Sequence, residues 1–154
     1  MGQRDLYNVT APFDYLGHPT IAGRVEKRDE ELSEIHLFRQ NAEVWEPLPF
    51  FPSFAGLQDP CVTRLKGKLL IGGVRYPVAC PDGTEAWQME FYLENTEDSF
   101  VHVFTGPLKM KDIRFLELAH DQLLVLTRPQ GKRGGRGKIG FLIIGDISEL
   151  TDEI

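Results

Sequence analysis

One pattern is written twice in this chain: an Asp, an alternating apolar run, a turn, a second apolar run and an Arg. The first copy runs from Asp59 through Val62, Leu65, the Lys66-Gly67 turn and Leu69-Leu70-Ile71 to Arg75. The second runs from Asp112 through Ile113, Phe115, Leu118 and Leu123-Leu124-Val125-Leu126 to Arg128. The Asp-to-Arg separation is 16 in both, and the copies lie about 50 residues apart. A fixed period of that size in β-rich sequence points to propeller blades, because one small sheet cannot bury both of its faces without neighbours. Blades arranged around an axis also bring their repeated polar residues to one mouth.

The rest of the chain keeps the same rhythm. A predicted inner strand at Ile21-Ala22-Gly23-Arg24-Val25-Glu26 matches Ile71-Gly72-Gly73-Val74-Arg75-Tyr76, starting 50 residues earlier. Outer strands are expected at 34–39, 87–93 and 138–144, and no long amphipathic helix interrupts them. The segment from Trp45 to Gly56, with Pro47, Pro49 and Pro52, reads as an extended crossing, since Pro cannot donate to a sheet ladder. The expectation is an all-β fold in one incomplete propeller domain over 1–154. Its blades would lie at about 5–50, 55–105 and 107–150. Propellers close with about four to eight blades, so three leave an apolar edge and face that something must cover. The chain is therefore expected to be a fragment or to self-associate through open blade edges, with Ile147 to Ile154 leading out toward a next blade.

Composition narrows the function classes. The 154 residues are 42% apolar with a net charge of -6, enough for one ordinary core and not the composition of a disordered chain. No run reaches the roughly 18 apolar residues of a membrane helix, and Met1-Gly2-Gln3-Arg4-Asp5 is too polar for a signal peptide, so a cytoplasmic chain without a membrane partner is expected. Overall acidity argues against nucleic acid. Cys61 and Cys80 form neither a metal-ligand pair nor a disulfide framework. His18, His36, His102 and His120 show no ligand spacing, and no nucleophile elbow is present. Neither a metal nor a cofactor is implied.

Three polar groups remain. Arg24, Glu26 and Arg28 alternate on and just after a strand, which puts them on one face. They form either surface ion pairs or a wall that offers a sugar ring paired donors and acceptors. Asp59 opens a turn with Pro60. Asp112 follows Lys109, Met110 and Lys111, where a neighbouring cation favours a fixed carboxylate and burial favours a general acid; both roles stay open. The segment Gly131 to Lys138 packs four cations among four glycines. It lacks the Ser or Thr and the following helix of a phosphate loop, and reads as a flexible hairpin, an anion-binding rim or, third, an RNA-binding Arg-Gly segment.

With these residues in view, the chain resembles a family of uncharacterised bacterial and protist proteins, a domain of unknown function. That family is related to the five-bladed propeller mannoside phosphorylases and mannosidases of glycoside hydrolase family 130. The stretches that carry the resemblance are Gly23-Arg24-Val25-Glu26-Lys27-Arg28, Leu57-Gln58-Asp59-Pro60, Gly106-Pro107 with Lys111-Asp112, and Leu126-Thr127-Arg128-Pro129 continuing into Ile139-Gly140-Phe141. The chain resembles roughly the N-terminal half of such a propeller. The resemblance implies a carbohydrate ligand of mannose type and inorganic phosphate as a co-substrate. It implies Asp112 as the general acid of an inverting phosphorylase or hydrolase, with Arg24, Glu26, Arg28, Asp59, Lys111 and Arg128 around the sugar. Cys61 stands where those enzymes usually carry an Arg soon after Asp-Pro, and their later blades have no counterpart here. The alternative is a propeller that binds carbohydrate, or another partner, without chemistry.

Overall fold

Tight turns between alternating runs make antiparallel hairpins throughout. Lys66 and Gly67 both take positive φ, 50° and 78°, as a two-residue hairpin turn requires. They join β7 (Leu57–Leu65) to β8 (Lys68–Ala79). The computed structural model describes residues 4–30, 32–49, 53–96, 99–129, 134–135 and 138–151, and within them the chain forms three antiparallel sheets and no α-helix.

The first sheet contains β1 (Arg4–Tyr7), β2 (Phe13–Tyr15), β3 (His18–Lys27), β4 (Ser33–Asn41), β5 (Val44–Pro47) and β6 (Phe54–Ala55), with β1 and β2 following one another along β3. The second is a four-stranded meander of β7, β8, β9 (Glu85–Thr96) and β10 (Ser99–Thr105). The third holds β11 (Lys111–Glu117), β12 (Leu123–Arg128) and β13 (Gly140–Ile144). The fold is all-β, with three blade-like sheets of a partial propeller. The run from Ile21 to Glu26, expected as an inner strand, lies second in its sheet, between β1 and β4. The first strand is supplied by residues 4–15, whose short and mostly polar runs carry little alternation.

The middle sheet is clamped on both faces. Successive residues of a strand point to opposite sides, so along β8 the side chains of Leu69 and Ile71 join Ile35, Leu37 and Phe54 of the first sheet. Leu70 and Val74 join Ile113, Phe115 and Val125 of the third. Six consecutive β8 residues, Leu69 to Val74, are buried as a result. Gly72 and Gly73 are part of this fit. A Cβ on Gly73 would sit 2.6 Å from Ile35 Cδ1, and one on Gly72 would meet the Phe91 ring and lie 2.8 Å from Cys61 Sγ.

The third sheet differs. Along β12 burial alternates, and the outward residues Leu116, Leu126, Phe141 and Ile143 are exposed. Among the described residues nothing covers this apolar face of the sheet. No helix among the described residues is long and apolar enough to cross a membrane.

Candidate functional site

Each sheet interrupts its first hairpin at the same place. In the second sheet, Gln58 pairs with Val74 but Cys61 pairs with Gly72, so one extra residue bulges at Asp59-Pro60. In the third, Lys111 pairs with Arg128 but Arg114 with Leu126, which puts the bulge at Asp112-Ile113. In the first, Tyr7 pairs with Arg24 and Phe13 with Thr20, so the first strand slips against β3 just after Tyr7. The first bulged residue is left-handed every time, with φ of 47° at Asn8, 47° at Asp59 and 56° at Asp112. Asn and Asp tolerate that region better than other side chains bearing a Cβ. Bulges of this kind re-aim a side chain and recur beside functional sites.

Asn8 is the residue that the sequence reading missed. The signal was present, because Asn8 and Arg24 stand 16 apart just as Asp59 and Arg75 do, but an Asn in place of Asp and a weak first strand hid the third copy.

The first two bulges meet. Asn8 Nδ2 donates to Asp59 Oδ1 at 2.5 Å, and Arg24 Nη1 lies 3.6 Å from the same oxygen. Arg24 is itself held from the other side. Its Nη2 and Nε reach Glu26 Oε2 at 2.7 and 2.8 Å, and Ser33 Oγ donates to that oxygen at 2.6 Å. The pair is largely buried, with 17% of the Arg24 side chain and 15% of Glu26 exposed. Glu26 therefore orients Arg24 through a single carboxylate oxygen, Oε2. Arg28 is not part of this group. Strand β3 ends at Lys27, the chain turns, and Arg28 forms an exposed two-pronged pair with Asp5 at 2.9 and 3.0 Å.

The third bulge is served by its own sheet. Arg128 Nη2 lies 2.8 Å from Asp112 Oδ2, and Arg114 Nη2 lies 3.5 Å from Oδ1. Both oxygens of Asp112 thus face guanidinium groups, and all three side chains are more than 40% exposed.

The Asp-to-Arg spacing conceals a register difference. Arg24 pairs with the residue before Asn8, and Arg128 with the residue before Asp112, but the residue paired with Gln58 is Val74. Arg75 is one position further along and points to the opposite face of the sheet. There it donates to both Glu90 oxygens at 2.9 and 2.6 Å and to the Ala55 carbonyl at 2.5 Å. Burial opposes ionisation of Glu90, yet hydrogen bonds from Arg75 and Tyr92 hold its carboxyl below the usual range. Arg75 ties the first two sheets together and stands apart from the bulges.

Where an Arg would otherwise stand, Val74 leaves space. A cavity of about 320 Å³ opens there, lined by Arg24, Gln58, Val74, Tyr76, Trp87 and Lys111, so all three sheets contribute to it. The Lys111 ammonium lies 5.0 Å from the centre of the Trp87 ring, a cation–π contact. The buried indole N–H of Trp87 has no hydrogen-bond partner among the described residues. Of the residues expected at a site, the structure brings Arg24, Glu26, Asp59 and Lys111 to this cavity or its wall. Asp112 and Arg128 flank it through Lys111, next to Asp112 in sequence and paired with Arg128.

Cys61, half-buried beside this region, is a free thiol pushed up by burial. The loop expected as an anion-binding or RNA-binding rim falls largely outside the described residues: Gly131, Lys132, Arg133, Arg136 and Gly137 are not among them. Among the described residues no group of three or more His, Cys, Asp and Glu side chains could hold a metal ion.

Residues 1–154 match the model of the family DUF1861, described as protein of unknown function, and the chain belongs to that family. Among curated proteins none is similar enough to count as a relative. Solved structures are more informative. A mannose phosphorylase from Leishmania mexicana, in complex with phosphate ion, is 35% identical with a TM-score of 0.82. A GDP-Man-dependent mannosyltransferase from the same organism is 30% identical with a TM-score of 0.78. A hypothetical protein from Leishmania major is 34% identical with a TM-score of 0.79. Each comparison covers 96% of this chain and 45 to 46% of the other. The chain thus spans less than half the length of these structures and shares the fold of that part of them.

Proposed function

We propose that this member of the family acts on mannose-type sugars, transferring a mannosyl group to phosphate or to water at the bulged end of its three sheets. The observation that carries the reading is the likeness to a mannose phosphorylase along nearly the whole chain, together with the Arg24–Asp59 and Asp112–Arg128 groups at equivalent bulges. An oxygen of phosphate or water attacks the anomeric carbon, the glycosidic C–O bond breaks, and a proton passes to the leaving oxygen. Inversion requires an acid on one face of the sugar and the nucleophile on the other. Asp112 is the proposed proton donor: on substrate binding it gives up its Arg128 contact, takes up a proton from solvent and passes that proton to the glycosidic oxygen. Arg24 and Asp59, fixed by Glu26 and Asn8, supply a donor and an acceptor for adjacent hydroxyls.

Incubation with manno-oligosaccharides, with and without phosphate, tests this. Release of mannose 1-phosphate or of mannose is expected, with loss of at least 100-fold in Asp112→Asn, the scale of removing a general acid.

A second reading has its own support: both aspartates are already engaged by guanidinium groups, an arrangement suited to binding hydroxyls without chemistry. Calorimetric binding of manno-oligosaccharide with no release of sugar would select it.

A further inference from the structure

Aligned on their bulges, the three sheets place Arg24, Val74 and Arg128 at equivalent positions. Two residues earlier on those strands stand Ala22, Gly72 and Leu126, whose partners on the following strand are Leu37, Phe91 and Phe141. Leu37 seats in the second sheet, in one cluster with Leu57 and Ile71, and is 2% exposed. Phe91 seats in the third, its ring 4.9 Å from that of Phe115, and is 1% exposed. Phe141 holds the same place and is 73% exposed. The receiving face shows the converse. Leu57 precedes the residue paired with Val74 and is fully buried, whereas Leu6 precedes the residue paired with Arg24 and is 41% exposed. Leu6, Val25, Phe38 and Pro47 give an open groove of about 740 Å³ its apolar lining, on the side of the first sheet turned away from the second. Each joint inside the molecule mates a face of the Leu37 type with a face of the Leu57 type. Among the described residues, one face of each type is left without a mate.

We propose that these two faces are halves of one joint and that a second copy of this chain occupies both, the third sheet of each copy packing on the first sheet of the other. Two such joints related by a two-fold axis close a ring of six sheets, within the roughly four to eight blades of closed propellers. The occupant must offer a Phe141-type face and a Leu6-type face at once, three sheets apart, and a copy of this chain does so. Length agrees: the shared stretch is 45 to 46% of each Leishmania structure, so two copies nearly match one of those chains. The ring also adds a residue to the bulged site. Arg24 reaches across a joint to the next bulge, where Asn8 holds Asp59. Arg128, its equivalent, reaches the side-chain carbonyl of Asn8 of the second copy, and this contact draws it from Asp112. The inference does not rest on the mannosyl-transfer reading, and its test uses no sugar.

Sedimentation equilibrium of the chain across micromolar concentrations is expected to show monomers in exchange with pairs. A monomer throughout, or polymers that grow with concentration, overturns the proposal. Phe141→Glu and Leu6→Glu each place a charge in a joint, and each is expected to weaken the pair by about thirtyfold or more, the loss of one interface anchor. Both positions are exposed in the single chain, and circular dichroism reports whether the sheets survive. A pair left intact by either variant overturns the head-to-tail joint; sensitivity to Phe141→Glu alone means third sheet on third sheet. If a variant fails to fold, oxidation of mixed Leu6→Cys and Phe141→Cys chains decides. A disulfide between the two variants, absent when either is oxidised alone, is expected, and its failure to form counts against the joint. The Arg128 side-chain N–H resonance is expected to shift as pairs form, and a fixed resonance removes Asn8 of the second copy from the site.

Discussion

Asp59 and Asp112 occupy the same bulge in consecutive sheets, with the same left-handed backbone, and their surroundings differ in one respect that governs the rest. Asp59 is held by Asn8 and Arg24 across a sheet boundary. Asp112 is held by Arg128 and Arg114 within its own sheet. The first arrangement knits two sheets together and is largely buried on the Arg24 side. The second is exposed, and among the described residues its ion pairs come from its own hairpin. A repeat can therefore preserve backbone geometry while dividing labour: one carboxylate serves as a fixed strut, and the other is free to change partners.

Arg24→Leu gives the contrast its largest test. It strands the half-buried Glu26 carboxylate, so a loss on the order of 2–3 kcal/mol is expected, a little below the range for wholly buried pairs. Arg128→Leu removes one partner of an exposed pair and is expected to cost under about 1 kcal/mol. Urea unfolding of both variants measures the difference, and equal losses would break the distinction between strut and free carboxylate. Next in size is Gly73→Thr, which installs at the middle-sheet bulge the residue that faces the third-sheet bulge, Thr127. Overpacking against Ile35 and Leu57 is expected to cost about 1–3 kcal/mol, read as a lower Tm.

The acid limb of stability provides a smaller effect. Asp146 accepts hydrogen bonds from Ser148 and from Lys66 of the second sheet, which hold its carboxyl at about 2. Its folded value lies below the ordinary 3.8, so its contribution is present above about pH 4 and is lost as pH falls from there toward 2. Asp146→Asn should flatten part of the fall in Tm across that window, and an unchanged profile would show that the Asp146 carboxylate, held by Ser148 and Lys66, contributes nothing. The uncovered face of the third sheet sets the last test. Phe141→Glu is expected to lower any associated fraction seen by light scattering while leaving the melting temperature nearly unchanged.

Much of the architecture was legible because apolar alternation records burial directly. The runs at 34–39, 71–76, 87–93 and 138–144 fall within or overlap β4, β8, β9 and β13. Residues 4–15 were opaque because Arg4, Asp5 and Asn8 give no period-two signal. The 16-residue spacing was visible but ambiguous: strand register is not encoded by separation alone, and a one-residue slip turns a side chain to the opposite face. Arg75 thus looked equivalent to Arg128 and is not. Lys111 was visible from its place before Asp112, whereas Trp87 and Tyr76 carried no motif and came to the cavity only through the pairing of β8 with β9 and the approach of β11.

The account is tested most directly by mapping backbone amide shifts by NMR while manno-oligosaccharide is added to the chain. The perturbed amides are predicted to cluster at Asn8, Arg24, Gln58, Asp59, Lys111, Asp112 and Arg128. Shifts confined to the far side of the first sheet, around Leu6, Phe38 and Pro47, or no shifts at saturating sugar, would contradict it.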